Sequence, residues 1–228
     1  MTDIHIPYRS GRIVVLADLH LDHWGKFNRN PLRDFRLEDL LRADLDALII
    51  AGDLINGPHV NMTKALKFLG AYIAPGRIYV LPGNHDYYRS SLAAESEMSA
   101  IVQKAGSHFL QQSVLRHGMT RILAATLWTD YDLLWQRAEA MAIAAKLMND
   151  HRWIARSAPD PTDAFEVLLP PTIERRVTSK DLREIHVAHR TWLETELTKP
   201  HPSGKDGQTV VVTHHRPHPE VAGSIDKL

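Results

Sequence analysis

With 228 residues and a formal net charge of zero, the chain is sized for one large domain or two small ones and makes no bulk electrostatic case for nucleic acid or a membrane surface. Cysteine is absent, which excludes disulfides and thiolate ligands, so any metal must sit on His, Asp, Glu or Asn. No apolar run is long enough to span a bilayer and no apolar leader opens the chain, so the cytoplasm is the expected compartment.

Arg12 to Ala17 predicts the first strand, and Asp22-His23-Trp24-Gly25 reads as an exposed loop at its end. Pro31 suits a first helical position, with Leu32, Phe35, Leu40 and Leu41 as the apolar face. Ala47 to Ala51 predicts the second strand. Asn61 is placed to cap a helix whose face is Met62, Ala65, Leu66, Leu69 and Ile73, stopped by Pro75-Gly76. Arg77 to Leu81 predicts the third strand. This strand–helix–strand–helix–strand order predicts parallel strands with helices on their faces.

Ser90 or Ser91 is placed to cap a helix running to about Ala105. Ser113 to Arg116 and Arg121 to Trp128, joined through His117-Gly118, predict a hairpin. An alanine-rich helix is expected from about Asp132 to Met148, and a proline-rich loop from Ser157 to Pro171. Ser179 is placed to cap a helix that turns Leu182, Ile185, Trp192 and Leu193 inward, and Thr209 to Thr213 predicts the last strand. No repeat or linker divides the chain, so residues 1–228 read as a single domain.

Polar groups cluster where these strands end. The first strand runs into Asp18-Leu19-His20, the second into Gly52-Asp53-Leu54-Ile55-Asn56, and the third into Pro82-Gly83-Asn84-His85-Asp86. The last strand runs into His214-His215-Arg216-Pro217. Strand ends are where open α/β sheets bind ligands. Asp18 and His20 are two residues apart, a carboxylate such as Asp53 can bridge two cations, Asn84 offers a neutral oxygen, and His214 or His215 offers an imidazole. Carboxylates mixed with imidazoles suit Mn, Fe or Zn better than Ca. Two such ions lower the pKa of a shared water and clamp phosphate oxygens, which points to hydrolysis at phosphorus. Taken singly, Asp18 is explained by a turn cap and Gly52-Asp53 by a common turn signal. Their ordered occurrence together is what favours a site.

Asp18-x-His20, Gly52-Asp53-x-x-Asn56, Gly83-Asn84-His85-Asp86 and Thr213-His214-His215-x-Pro217 resemble the ordered motifs of the calcineurin-like metallophosphoesterases. The resemblance implies a four-layer α/β/β/α sandwich with a dinuclear site at the strand ends. It implies that Asp18 and His20 bind a first divalent ion, that Asp53 bridges, and that Asn84 and His214 bind a second. It implies that a metal-bridging hydroxide attacks phosphorus while His85 contacts the phosphate and assists the leaving group. Asp86 is then expected to orient His85 and raise its pKa. The implied activity is hydrolysis of a small phosphodiester or phosphomonoester, with no membrane partner, nucleic acid disfavoured and oligomeric state open. The alternative is a binding or scaffold module on the same fold without catalysis. Asn56 stands where many members have Asp, and the family's closing Gly-His-x-His has no match after His214. The expectation is therefore a sandwich lacking its C-terminal strands, cut from a longer natural protein.

Overall fold

The computed structural model describes residues 3–133, 136–157, 170–218 and 220. One sheet is built from β2 (Ile13–Leu16), β3 (Ala47–Ala51), β4 (Ile78–Leu81) and β6 (His108–Phe109), in that order and all parallel. The other runs β1 (Asp3–His5), β7 (Ser113–His117), β8 (Thr120–Ala125) and β10 (Gln208–Thr213). Its centre is the antiparallel β7–β8 hairpin, with β1 and β10 added in parallel on either side.

Alternation along the strands decides the layers, because successive side chains leave a strand on opposite faces. In β3, Leu48 and Ile50 join Leu41 of α3 (Glu38–Arg42), Met62, Ala65, Leu66 and Leu69 of α4 (Pro58–Leu69), and Met98 and Val102 of α5 (Glu95–Lys104). The intervening Ala47, Ile49 and Ala51 face the second sheet and pack with Leu115, Ile122, Ala124 and Val212. On that sheet's far side, Val114, Leu123 and Ala125 meet Trp192 and Leu193 of α8 (Ser179–Thr198). The result is the expected α/β/β/α sandwich. Both faces of β3 are covered, which is why all five of its residues are buried and its sequence is a continuous apolar run.

Several local expectations are corrected. Asp22 to Gly25 is not loop but lies within α1 (Leu21–Lys26). The segment after Pro31 forms two short helices, α2 (Pro31–Asp34) and α3, separated at Arg36, whose φ is 57°. Phe35 and Leu40 are exposed rather than inward. Helix α4 starts at Pro58, where proline's fixed φ is preorganised, so Asn61 sits inside the helix and donates to the Asn56 carbonyl at 2.5 Å. Ser90–Ser91 is a strand, β5, paired with β9 (Ile154–Ala155), because a distant partner outcompetes local capping. The alanine-rich helix α6 spans Arg137–Leu147, and α7 (Asp150–Trp153) leads directly into β9. Thr178, not Ser179, caps α8, through a reciprocal box with Asp181. Most of the expected 157–171 loop and residues 221–228 lie outside the described residues.

One buried carboxylate, hydrogen-bonded across to a histidine, locks the two sheets at the end remote from the site. Asp46, just before β3, accepts from the backbone N–H groups of Arg9, Ser10 and Gly11, and lies 2.7 Å from His117 Nε2. Burial opposes its charge, but the bonds from Ser10, His117, Arg9 and Gly11 outweigh that and hold the carboxyl below its ordinary value. A depressed carboxyl contributes stability above its unfolded pKa, about 4, and loses it as pH falls toward the folded value. Asp46→Asn, which replaces one acceptor oxygen with a donor, is expected to cost roughly 1–3 kcal/mol near neutrality. The variant's stability should also fall less steeply than wild type on acidification below about pH 4. Urea unfolding of both proteins across that range checks both statements.

Candidate metal centre

The C-terminal ends of β2, β3, β4 and β10 deliver their polar residues to one edge of the sandwich. The loops after β2 and β3 are laced together by backbone bonds from Asp18 N to Gly52 O, His20 N to Asp53 O and Leu21 N to Leu54 O. Three side chains there hang from left-handed backbone, with φ of 56° at Asp18, 41° at His20 and 55° at Asp53. That region is costly for non-glycine residues, and such strain concentrates at functional sites. The turns leave no room for ordinary residues beside them. A Cβ at Gly52 would strike the His214 ring, and one at Gly83 would strike the Asp53 carboxylate.

Asp53 is the centre. It is buried, and its Oδ1 accepts from the His85 backbone N–H at 2.9 Å. Three imidazoles surround its carboxylate: His214 Nε2 at 3.3 Å, His20 Nε2 at 3.7 Å and His85 Nε2 at 4.0 Å. Two sets of donor atoms lie within 4.8 Å of one another, Asp18–Asp53–His214 and His20–Asp53–His85, and Asp53 belongs to both. The grouping differs from the pairing implied by the family's motifs, which sets Asp18 with His20 and leaves His85 outside.

The hydrogen bonds behind these residues fix which atoms face inward. His214 Nδ1–H donates to the Ala51 carbonyl at 3.0 Å, so a neutral ring has its Nε2 lone pair on the site. That nitrogen lies 3.0 Å from Asn84 Oδ1. Asn84 is oriented in turn, because its Nδ2 donates to Asp150 Oδ1 at 2.7 Å and only its oxygen is left to point at His214. His85 is held in the same manner. Its Nδ1 donates to Asn56 Oδ1 at 2.8 Å, while Asn56 Nδ2 donates to Asp22 Oδ2 at 3.1 Å. The Tyr88 ring stacks on His85 with centroids 4.1 Å apart, and its hydroxyl donates to Asp150 at 2.7 Å. Burial, with the nearby Asp150 charge, pushes the Tyr88 hydroxyl pKa up and keeps it a donor. Burial also lowers the His85 imidazole below its ordinary value, against the pull of Asp53.

The inward lone pairs of His214 and His85 therefore converge with amide and carboxylate oxygens, and the one donor among them is the His85 backbone N–H on Asp53. Such an arrangement calls for a positive charge, supplied by a proton on a ring nitrogen or by a cation. Nitrogen and oxygen donors in this mixture fit a divalent ion of the Mn, Fe or Zn kind, and the crowded glycine turns keep the donors in place. Asp18, His20, Asp53, Asn84 and His214 are all brought together here, and His85 with them.

Asp86 is a correction. It does not touch the His85 imidazole. Its fully buried carboxylate accepts from the backbone N–H groups of Gly83 at 2.8 Å, Asp53 at 2.9 Å and Ile55 at 3.1 Å. Burial and the Asp53 charge push its carboxyl up to about 7, against these donors. Asp86 ties the loops after β3 and β4 together, and Asn56 takes the place beside His85. His215 turns away from the centre onto Trp128, stacked at 5.3 Å, where burial lowers it to about 4. Trp24 packs on Phe35 and Arg29 rather than on the site. Sequence reasoning missed Asp150 and the role of Asp22. Asp150 gives no local signal, sitting on a short helix with no motif. The Asp22–Asn56 contact was detectable only as Asn where a carboxylate is usual.

No helix among the described residues is long and apolar enough to cross a membrane. No curated protein sequence matches the chain. The family model for calcineurin-like phosphoesterases matches residues 11–227, which include every donor described above. The chain belongs to the calcineurin-like phosphoesterase family.

Proposed function

We propose that this chain is a dinuclear metal-dependent phosphoesterase of a single domain, acting on a small phosphodiester or phosphomonoester in the cytoplasm. The observation that carries the reading is the ring of three imidazoles and Asp18 around one buried carboxylate, with the inward lone pairs fixed from behind. Asp18 and His20 would hold one ion, Asn84 and His214 the other, and Asp53 both. When bound, two divalent ions acidify water and neutralise charge on the phosphoryl group.

The chain's own residues supply orientation and a proton. His85 Nδ1 is committed to Asn56, so a proton carried on Nε2 points into the site and can pass to a departing oxygen. Asn56 is neutral, so it fixes the tautomer without the added basicity that a carboxylate partner gives. Asp150 keeps the Asn84 oxygen and the Tyr88 ring in place through one carboxylate oxygen. Asp86 takes no part in proton transfer and keeps the two loops in register.

Metal analysis of the purified protein, with a bis(p-nitrophenyl) phosphate assay in added Mn, tests the reading. Bound metal with turnover supports it, whereas bound metal without turnover on any phosphoester moves the chain to the binding-module alternative. Asp53→Ala should lower occupancy at both positions together, and Asp18→Ala mainly at one, as read by metal content after dialysis. Unchanged occupancy in Asp53→Ala ends the dinuclear assignment. His85→Ala should keep its metals and lose turnover by about 10²–10⁴-fold, with a smaller loss for a good leaving group such as nitrophenolate. Loss of metal in that variant would make His85 a ligand, as its grouping with His20 and Asp53 allows.

A further inference from the structure

A cavity of ≈ 370 Å³ opens beside His85, within the range of small-ligand sites, about 300–1,000 Å³. Asn56 and Tyr88, the side chains that hold His85 by a hydrogen bond and by stacking, both line it. From there the wall runs through Gly57, Val60 and Asn61 of the α4 entry, and across to Arg89 and Trp153. The far wall is built by tertiary contact alone: Arg89 N–H donates to the Trp153 carbonyl at 2.8 Å, and β5 and β9 pair directly beyond them.

Charge on this wall is lopsided. Lys26 lines the cavity from α1, and neither a hydrogen bond nor an ion pair engages its ammonium among the described residues. The Arg89 guanidinium lies 5.3 Å from the Trp153 ring centroid and has no carboxylate partner among the described residues. Arg89 is also held in left-handed backbone, φ 57°, a strained conformation for an arginine. Against these two cations the wall sets one carboxylate, Asp22, whose partner Asn56 is neutral, and the imidazole of His59. Asp22 accepts from the Asn56 backbone at 3.0 Å and from its side chain. His59 is bonded to Glu97 and, at 3.1 Å, to Ser90. Through Asp22, Lys26 and Asn61 the cavity continues into a second one of ≈ 480 Å³, whose wall adds Arg29 and Lys64. Arg29 pairs with Asp34, and Lys64 adds a further cation.

We propose that this cavity receives the leaving group of the substrate, and that the leaving group carries an anion, phosphate or carboxylate, held between Lys26 and Arg89. The proposal rests on the phosphoesterase reading. Hydrolysis then breaks the P–O bond to the leaving group, forms a P–O bond to the oxygen of water, and leaves a proton on the departing oxygen. His85 is held by two of the wall residues, Asn56 and Tyr88, so a leaving group that takes its proton departs next to this cavity. A phosphodiester or pyrophosphate with a charged departing half fits this site, and a monoester of a small neutral alcohol leaves both cations unused.

Two measurements test it. In added Mn, kcat/KM is compared for methyl 4-nitrophenyl phosphate and methyl 4-carboxy-2-nitrophenyl phosphate, so that intrinsic leaving ability cancels when wild type and variant are set side by side. In Lys26→Ala/Arg89→Ala the kcat/KM ratio of the carboxylated to the uncarboxylated ester should fall by roughly tenfold. Equal proportional loss on both esters, or an unchanged ratio, overturns the proposal. Equilibrium dialysis of the free leaving group, 4-hydroxy-3-nitrobenzoate, against the same proteins needs no turnover. Binding by wild type that the double variant loses supports the anion site even if neither ester is cleaved, a result that would count against the phosphoesterase reading alone. No binding to wild type, or equal binding to both, overturns the site. Displacement of the chromophore by methyl phosphate more than by acetate assigns the anion to a phosphate, and the reverse order assigns it to a carboxylate. If the double variant fails to fold, Lys26→Ala alone, on the exposed face of α1, carries the same comparison.

Discussion

The centre depends on a carboxylate that takes no part in the proposed chemistry. Asp86 gathers the backbone N–H groups of Gly83, Asp53 and Ile55 onto one buried side chain, where water cannot substitute for it. An unpaired backbone donor in such a place costs free energy comparable to a lost hydrogen bond, and three share this acceptor. The loops after β3 and β4 are thereby fixed against each other, and Asp53 and Asn84 inherit that fixed relation. Gly52 and Gly83 let the loops approach closely enough for this, since a side chain at either would collide with His214 or Asp53.

Strain at Asp18, His20 and Asp53 is the counterpart of this rigidity. Each such residue costs on the order of 1–3 kcal/mol, which the sandwich must offset. The offset lies in the inter-sheet core, where Ile49, Tyr79, Leu81, Leu115 and Ala124 are essentially excluded from solvent. A site on strand ends takes its precision from those strands, and β3 and β4 are the most buried strands in the first sheet. The Asp46–His117 pair secures the same two sheets at their other end.

Support from behind the centre comes from a part of the chain without any motif. Helix α7 brings Asp150 under Asn84 and Tyr88, and β9 pairs with β5 to keep it there. One carboxylate oxygen thus sets the direction of a candidate metal ligand and the position of the ring stacked on His85. The same arm carries Trp153 to the wall of the neighbouring cavity. Orientation of the centre and the shape of its approach are in this way coupled through a short segment of backbone.

The sequence by itself determined β2, β3, β4, the β7–β8 hairpin and β10, the parallel sense of the first three, and the identity of the residues at their ends. Those follow from local physics: continuous apolar runs for strands buried on both faces, period-2 alternation that sorts residues between layers, and polar groups placed directly after a strand. The placing of Asp18, His20, Asp53, Asn84, His85 and the His214-His215 pair directly after strands was legible for that reason, whereas preferring His214 to His215 rested on the family resemblance. What those side chains touch was decided only by tertiary structure. Asp86 is adjacent to His85 in the chain, yet its carboxylate turns under the loop, because buried backbone donors must be satisfied before a side chain is free to orient a neighbour. Asn56 and Asp22, brought in from two other loops, take that place. Ser90 and Ser91 look like a helix cap until β9 arrives to pair with them, and Asp150 has no local signature at all. Local sequence fixes which way a backbone segment runs, but hydrogen-bond partners across long chain separations exist only once the core has brought the segments together.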